Sequence, residues 1–283
     1  MYATATESNV RYRHGMSIGQ GNGRDPLTDD QIRKVAPSVF ADKPWQGMTD
    51  KYLFVPTAEI VGAMRREGFE VVQALQGKTR IEGKGEFTKH MLRFALPKTL
   101  SVHGSVPELV LVNSHDGTSS YRLIMGIFRL ICKNGLLVAS DVVADLRFRH
   151  AKSLADEIIE GTGTLVREVP RVNDQIERLS GIELRPHERL AFANAAHHLR
   201  WSDGHSPVRP EQLLETRRRE DEATDLYTTS NVVQENLIRG GLHGRTATRQ
   251  RTKTRAVQGV TENIRLNEAL AILANTLARE KAN

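Results

Sequence analysis

The segment LVNSHDGTSSYR, residues 111–122, sets Asn113, Ser114, His115 and Asp116 side by side, followed by Gly117 and three hydroxyl residues. A nucleophile, a base and an orienting acid are the ingredients of covalent hydrolytic catalysis. The spacing argues against that use. A triad must converge in space, and successive residues of an extended chain point in opposite directions. Metal binding through His115 and Asp116, with His103 or His150 as a third ligand, also finds no support in the spacing. A turn explains more. Asp116-Gly117 is a turn dipeptide, Asn113 and Asp116 can tie side chain to backbone at a strand end, and Thr118 or Ser119 can cap a following helix. The reading is a turn first, anion contact by residues 113–116, Thr118 and Ser119 second, and catalysis last. No catalytic residue, metal ligand or cofactor is expected.

The elements that must position this turn follow from local patterns. Thr28 and Gln31 have capping-box spacing before a short helix that stops at Pro37. A short strand is expected at 51–56 and a helix at 57–68, ended by Gly68. Strands are expected at 69–80, 86–96 and 107–113, with a hairpin signal in EGKGE between the first two. In the second strand a period of two puts His90, Leu92, Phe94 and Leu96 on a core face and Lys89, Met91, Arg93 and Ala95 on the other. The sheet is thus expected to be buried on one side and basic on the other. Residues 119–135 read as a helix, with Ile124, Ile127, Phe128 and Ile131 buried and Arg122, Gly126, Arg129 and Lys133 on the opposite stripe, stopped by Asn134-Gly135. On that helix Cys132 is expected to be an inert buried thiol.

Further on, 151–200 read as mostly helical, broken near EGTGT and at Gly181. After a linker-like break at 202–210, a long helical stretch at 210–239 ends at Gly240-Gly241. Residues 242–259 then hold Arg245, Arg249, Arg251, Lys253 and Arg255 with no acid among them, and are expected to be a flexible basic linker when free. A final amphipathic helix spans 261–280, with Ile264, Leu266, Leu270, Leu273 and Leu277 available to pack. The expected fold class is α+β, an antiparallel sheet with helices packed on one face, followed by a helical C-terminal portion. The expected domains are a flexible arm at 1–26, an α+β core at 27–200 and a helical region at 201–283.

Forty Lys and Arg against 34 Asp and Glu give a net charge of +6. That balance speaks of partners, and polyanions come first. No stretch approaches the ~20 apolar residues that span a bilayer, so no membrane partner is expected. The polar N-terminus and the single cysteine suit a reducing, cytoplasmic setting.

APSVFA, KYLFVPTAEI, RREGFE, TKHMLR, LVNSHDGTSSY, FRLICKNGLLV and VVQENLIRGGL occur in this order between about Ala36 and Leu273. In this the chain resembles the phage/plasmid-like proteins grouped as domain of unknown function 932. The resemblance implies an origin in a phage, prophage or plasmid and carries no biochemical activity. The expected order of helix, three antiparallel strands and long helix is also similar to the core of single-strand annealing recombinases. That likeness implies rings or filaments holding single-stranded DNA in a basic groove.

The expected function is therefore binding and annealing of single-stranded DNA by a homo-oligomer, in recombination or maintenance of a mobile element. Its phosphate contacts would come from Lys89, Arg93, Arg122, Arg129 and Lys133, and from Arg249, Arg251, Lys253 and Arg255. Base stacking would fall to Phe87 or Tyr121. Two alternatives stay open: an anti-defence protein that binds a host restriction or immunity factor, and a metal-dependent enzyme acting on nucleic acid through such residues as Glu108 and Asp116.

Overall fold

The structure, a computed structural model, describes residues 25–48, 52–96, 101–129, 135–137, 145–149, 153–202 and 205–282. They divide into two compact units. One draws on Met1–Pro97, Leu109–Leu123 and Arg147–Gly161, the other on Lys98–Glu108, Ile124–Leu146 and Thr162–Asn283.

In the first unit, α1 (Asp29–Val35) begins as its sequence dictates. Thr28 accepts from the Gln31 N–H, and the Gln31 side chain accepts from the Thr28 N–H. A 3-10 turn, Pro37–Phe40, follows. Residues 52–56, expected as part of a strand, are not one; they lead into α2 (Thr57–Arg66). That helix buries Ile60, Val61 and Met64 and ends before Gly68, whose φ of +85° suits a residue without Cβ. Then come β1 (Glu70–Gln76), β2 (His90–Ala95), β3 (Ser105–Asn113), β4 (Tyr121–Arg129), β5 (Gly135–Leu137) and β6 (Asp145–Phe148). They form one sheet in the order β1-β2-β3-β4-β5, with β6 also paired to β4. β1 and β2 are antiparallel, with a bulge between Val71 and Gln73, so the hairpin expected from EGKGE is present.

Two expectations fail here. Residues 119–135 do not form a helix, because Tyr121–Arg129 is strand β4. A continuous apolar run satisfies the helical and the buried-strand pattern equally, and the sheet decides which is used. The sheet also lacks the expected basic side. All nine residues of β3 are buried, as are five of the six in β2, including Met91 and Arg93.

The remaining helices are α3 (Leu154–Arg167), α4 (Val169–Ser180), α5 (Pro186–Arg200), α6 (Leu226–Arg239) and α7 (Val260–Ala282). α3 runs through EGTGT without a break, whereas the expected break at Gly181 is real. The long helix expected at 210–239 is only its last 14 residues; Asp225 caps α6 by accepting from the Thr228 N–H at 2.7 Å. Within the second unit α6 touches α4, α5 and α7, and 12 of its residues are buried, among them Thr229, Ser230, Asn231, Gln234, Glu235 and Asn236. Two short strands, β7 (His243–Arg245) and β8 (Arg251–Lys253), pair as an antiparallel ribbon between α6 and α7. In α7, Ile264, Leu266 and Leu270 are buried while Leu273 and Leu277 are half-buried. The α+β class, with its antiparallel sheet, packed helices and helical C-terminal region, is as expected.

Candidate functional site

The NSHDG segment is a turn, but one that joins β3 to a strand. Gly117 has φ +75°, a conformation that favours glycine. The Asp116 carboxylate accepts from the Thr118 hydroxyl at 2.5 Å and the Thr118 N–H at 3.1 Å, and pairs with Lys84 at 3.1 Å. Burial works to raise the Asp116 pKa, yet these Thr118 bonds, then Lys84 and Ser114, outweigh it and hold the carboxyl below its ordinary value. Ser114 Oγ accepts from the Ser119 N–H at 2.8 Å. The His115 backbone is held on both sides, its N–H donating to Phe87 O and its carbonyl accepting from Trp45 N, each at 2.9 Å. Thr118 and Ser119 close this loop instead of capping a helix, so the expected anion contact at a helix N-terminus has no helix to support it.

Beneath the turn, five elements converge on one hydroxyl. Thr57, the first residue of α2, is fully buried. Its Oγ1 lies 2.9 Å from His90 Nε2, 3.2 Å from His115 Nε2 and 2.9 Å from Tyr121 OH, and it accepts from Asn113 Nδ2 at 3.1 Å. A hydroxyl donates once and accepts twice, so four neighbours compete for three bonds.

The proton positions follow by elimination. Gln76 Nε2 donates to Gly85 O, which leaves Gln76 Oε1 to accept from both Ser38 N and Ser38 Oγ. Ser38 has then spent its proton, and its Oγ accepts from His90 Nδ1 at 2.8 Å. Burial, and next the nearby His115, push the His90 imidazole down to about 3, so it is neutral and its bare Nε2 accepts from Thr57. Tyr121 donates to Val55 O at 3.0 Å. Asn113 Nδ2 and His115 Nε2–H then fill the two lone pairs of Thr57. The result is a directed chain running from His115 through Thr57, His90 and Ser38 to Gln76. Ser38, Thr57, His90, Asn113, His115 and Tyr121 are all 0% exposed. A chain so enclosed fixes the ends of α2, β2, β3 and β4 relative to one another.

The sequence pattern had placed His90 correctly on the core face of β2 but had missed Thr57 and Ser38 as its partners, and Tyr121 as a neighbour of Thr57. A threonine directly after a proline at a helix start was the one local hint. Among the described residues no group of three His, Cys, Asp or Glu side chains could hold a metal.

Arg93 is 3% exposed and donates to Gln73 Oε1 at 3.0 Å. Lys89 and Arg122 are half-buried. Arg129 ends β4, and its side chain lies outside what the structure describes. Lys133 and Cys132 lie outside the described residues, as do residues 1–24. Phe87 and Tyr121 are 8% and 0% exposed, which removes both as platforms for bases.

The expected flexible linker is instead the β7–β8 ribbon, because its ends are anchored. Gly241 N–H donates to Thr254 O, Thr254 N–H to Leu242 O and Val257 N–H to Ile238 O. Arg217 donates to Gly240 O at 2.5 Å, and Arg200 donates to Arg255 O at 2.5 Å and to Leu237 O. Arg217 is itself held by Asn236 Oδ1 at 2.8 Å. Burial lowers the pKa of both Arg200 and Arg217. Alongside them, Arg218 makes a bidentate pair with the buried Glu235, which also pairs with Arg239 at 2.7 Å.

Register then sorts the ribbon's side chains. His243 pairs with Lys253, Gly244 with Thr252 and Arg245 with Arg251. Alternation puts Gly244 and Thr252 on one face and the other four on the opposite face. The glycine face is covered: a Cβ on Gly244 would stand 2.0 Å from Pro207 O, and the Arg245 N–H donates to that same carbonyl at 2.8 Å. The other face presents His243, Arg245, Arg251 and Lys253, all exposed. Arg249, in the turn with φ +61°, and Arg255 are exposed as well. No carboxylate among the described residues pairs with any of these five Lys and Arg side chains.

What the fold and these two places define is an α+β protein with a dry polar junction in one unit and an anchored cationic ribbon in the other. Residues 45–271 match the family described as Domain of unknown function (DUF932), and the chain belongs to that family. It is 39% identical over 253 residues to UPF0380 protein YafZ of Escherichia coli (strain K12), and 40% identical over 253 residues to UPF0380 protein YfjQ of the same strain. Each alignment covers 89% of this chain and 92% of the relative. No solved structure matches the chain. Among the described residues no helix is long and apolar enough to cross a membrane.

Proposed function

We propose that this is a nucleic-acid-binding protein that uses the β7–β8 ribbon to hold phosphates, and that it serves the binding and annealing of DNA strands in a phage, prophage or plasmid. The supporting observation is the ribbon's outer face. Like charges stand directly opposite one another there, as Arg245 and Arg251 do, an arrangement that destabilises a free ribbon. Among the described residues no acid neutralises them, and a polyanion would. The net charge of +6 and the family resemblance agree with this reading. With Phe87 and Tyr121 buried, binding rests on charge and is largely independent of sequence.

The test is a salt series of DNA binding by the full chain and by a variant with Arg249, Arg251, Lys253 and Arg255 all changed to Gln. Each lost phosphate contact lowers the slope of log K against log salt by roughly 0.7–0.9, so four contacts flatten it by about 3. An unchanged slope would remove the ribbon from the interface. Mass measurement of both proteins, free and bound, would show whether binding builds the ring or filament that annealing calls for.

A further inference from the structure

We infer that the ribbon is shaped for the major groove of a duplex, so that the paired product of annealing, and not the extended single strand, is what it grips; this rests on the nucleic-acid reading above. Three observations carry it.

The first is size. Two strands about 4.8 Å apart make a ribbon that the ~12 Å major groove admits, while the ~6 Å minor groove does not.

The second is mounting. The Gly244 face is sealed against Pro207, Gln212 Nε2 donates to His243 O at 2.9 Å, and both feet are tied to α6 and to Arg200 and Arg217. The ribbon therefore meets its ligand flat, with Arg245 and Arg251 side by side at its turn end and His243 and Lys253 about 6.8 Å back toward its base. A flat face with a pair of guanidinium groups at its tip can reach a groove floor, where guanine offers N7 and O6 as paired acceptors. The turn cation Arg249 and the exposed Arg209, which follows the Pro207–Val208 segment beneath the ribbon, are left for the flanking phosphates.

The third is what the ribbon lacks. Single strands are gripped by stacking bases on aromatic rings, and residues 240–260 contain no Phe, Tyr or Trp. Among the described residues the exposed large apolar side chains are Leu53, Ile81, Val166 and Ile272, none of them aromatic.

The experiment compares a short mixed-sequence duplex with one of its own strands at equal salt, together with dimethyl sulfate methylation of guanine N7, which lies in the major groove. The expected result is tighter binding to the duplex and protection of guanine N7. Arg245→Gln with Arg251→Gln should abolish the protection of guanine N7. Tighter binding to the single strand, or duplex binding with N7 left reactive, overturns the groove inference while the nucleic-acid reading stands. Binding to neither probe at low salt overturns both.

Discussion

Changing Thr57 to Val removes one oxygen and keeps the shape of the side chain, so it isolates the hydroxyl at the centre of the polar junction. Four groups contact that oxygen. His90 retains Ser38 through Nδ1, and Tyr121 retains Val55 O. The larger loss falls on Asn113, whose Oδ1 already lacks a hydrogen bond and whose Nδ2 would lose Thr57. A buried amide group left without a partner costs about 1–3 kcal/mol, and each weakened neighbour adds about 1 kcal/mol. The expected destabilisation is about 3–5 kcal/mol, a large share of the 5–15 kcal/mol that holds a typical domain. Urea unfolding followed by circular dichroism would read it as a lower midpoint at unchanged slope. Thr57→Ser, which keeps the oxygen, should recover most of the loss. If Thr57→Val matches the wild type within about 0.5 kcal/mol, the hydroxyl is not the hub and the bond assignment is wrong.

Three further outcomes follow from the same geometry. His90 is neutral in the fold with a pKa of about 3, against about 6.5 when unfolded; its contribution is complete above pH 6.5 and is lost as the pH falls toward 3. Stability should drop by about 1.4 kcal/mol per pH unit across that window, and His90→Gln, whatever its absolute stability, should lose one proton's worth of that slope in pH-dependent urea melts. Asp116→Ala removes the Lys84 pair and both Thr118 bonds, so it should cost about 1.5–3 kcal/mol by urea unfolding; a neutral result would leave the turn to Gly117 alone. Gly244→Ala would drive a Cβ into Pro207 O, so amide hydrogen exchange in residues 243–253 should accelerate while α5 and α7 stay protected, and unchanged exchange would mean that the ribbon is not seated on Pro207.

Where structure was dictated within a few residues, the sequence was easy to read. The Thr28–Gln31 capping box, the stop at Gly68, the three strands from Glu70 to Asn113 and the stop at Gly240-Gly241 all carry their cause in their immediate neighbours. Tyr121–Arg129 does not. Its apolar residues suit a helix by spacing, and only pairing with β3, β5 and β6 makes it a strand. The 242–259 segment misled for a related reason. Its composition is that of a free linker, yet Arg200 and Arg217, 37 and 23 residues before Leu237 and Gly240, supply bonds that no local pattern displays. The polar junction was half legible. The turn could be read from Asp116-Gly117, and His90 from strand alternation, but their meeting at Thr57 depends on side chains up to 83 positions apart, Ser38 and Tyr121.

If the ribbon binds phosphate as proposed, the facing pair Arg245 and Arg251 gives ionic strength two opposed effects on one element. Cross-strand neighbours lie well inside the ~8 Å screening length of physiological salt. Added salt therefore quiets the repulsion within the ribbon and firms it, while the same ions would compete with it for phosphate. A concentrated electrolyte should favour a well-formed ribbon with little hold on DNA, and a dilute one a frayed ribbon with a strong hold. On that proposal, folding of the element and its affinity would be coupled through the solvent, with the ligand taking over the role of the counterions it displaces.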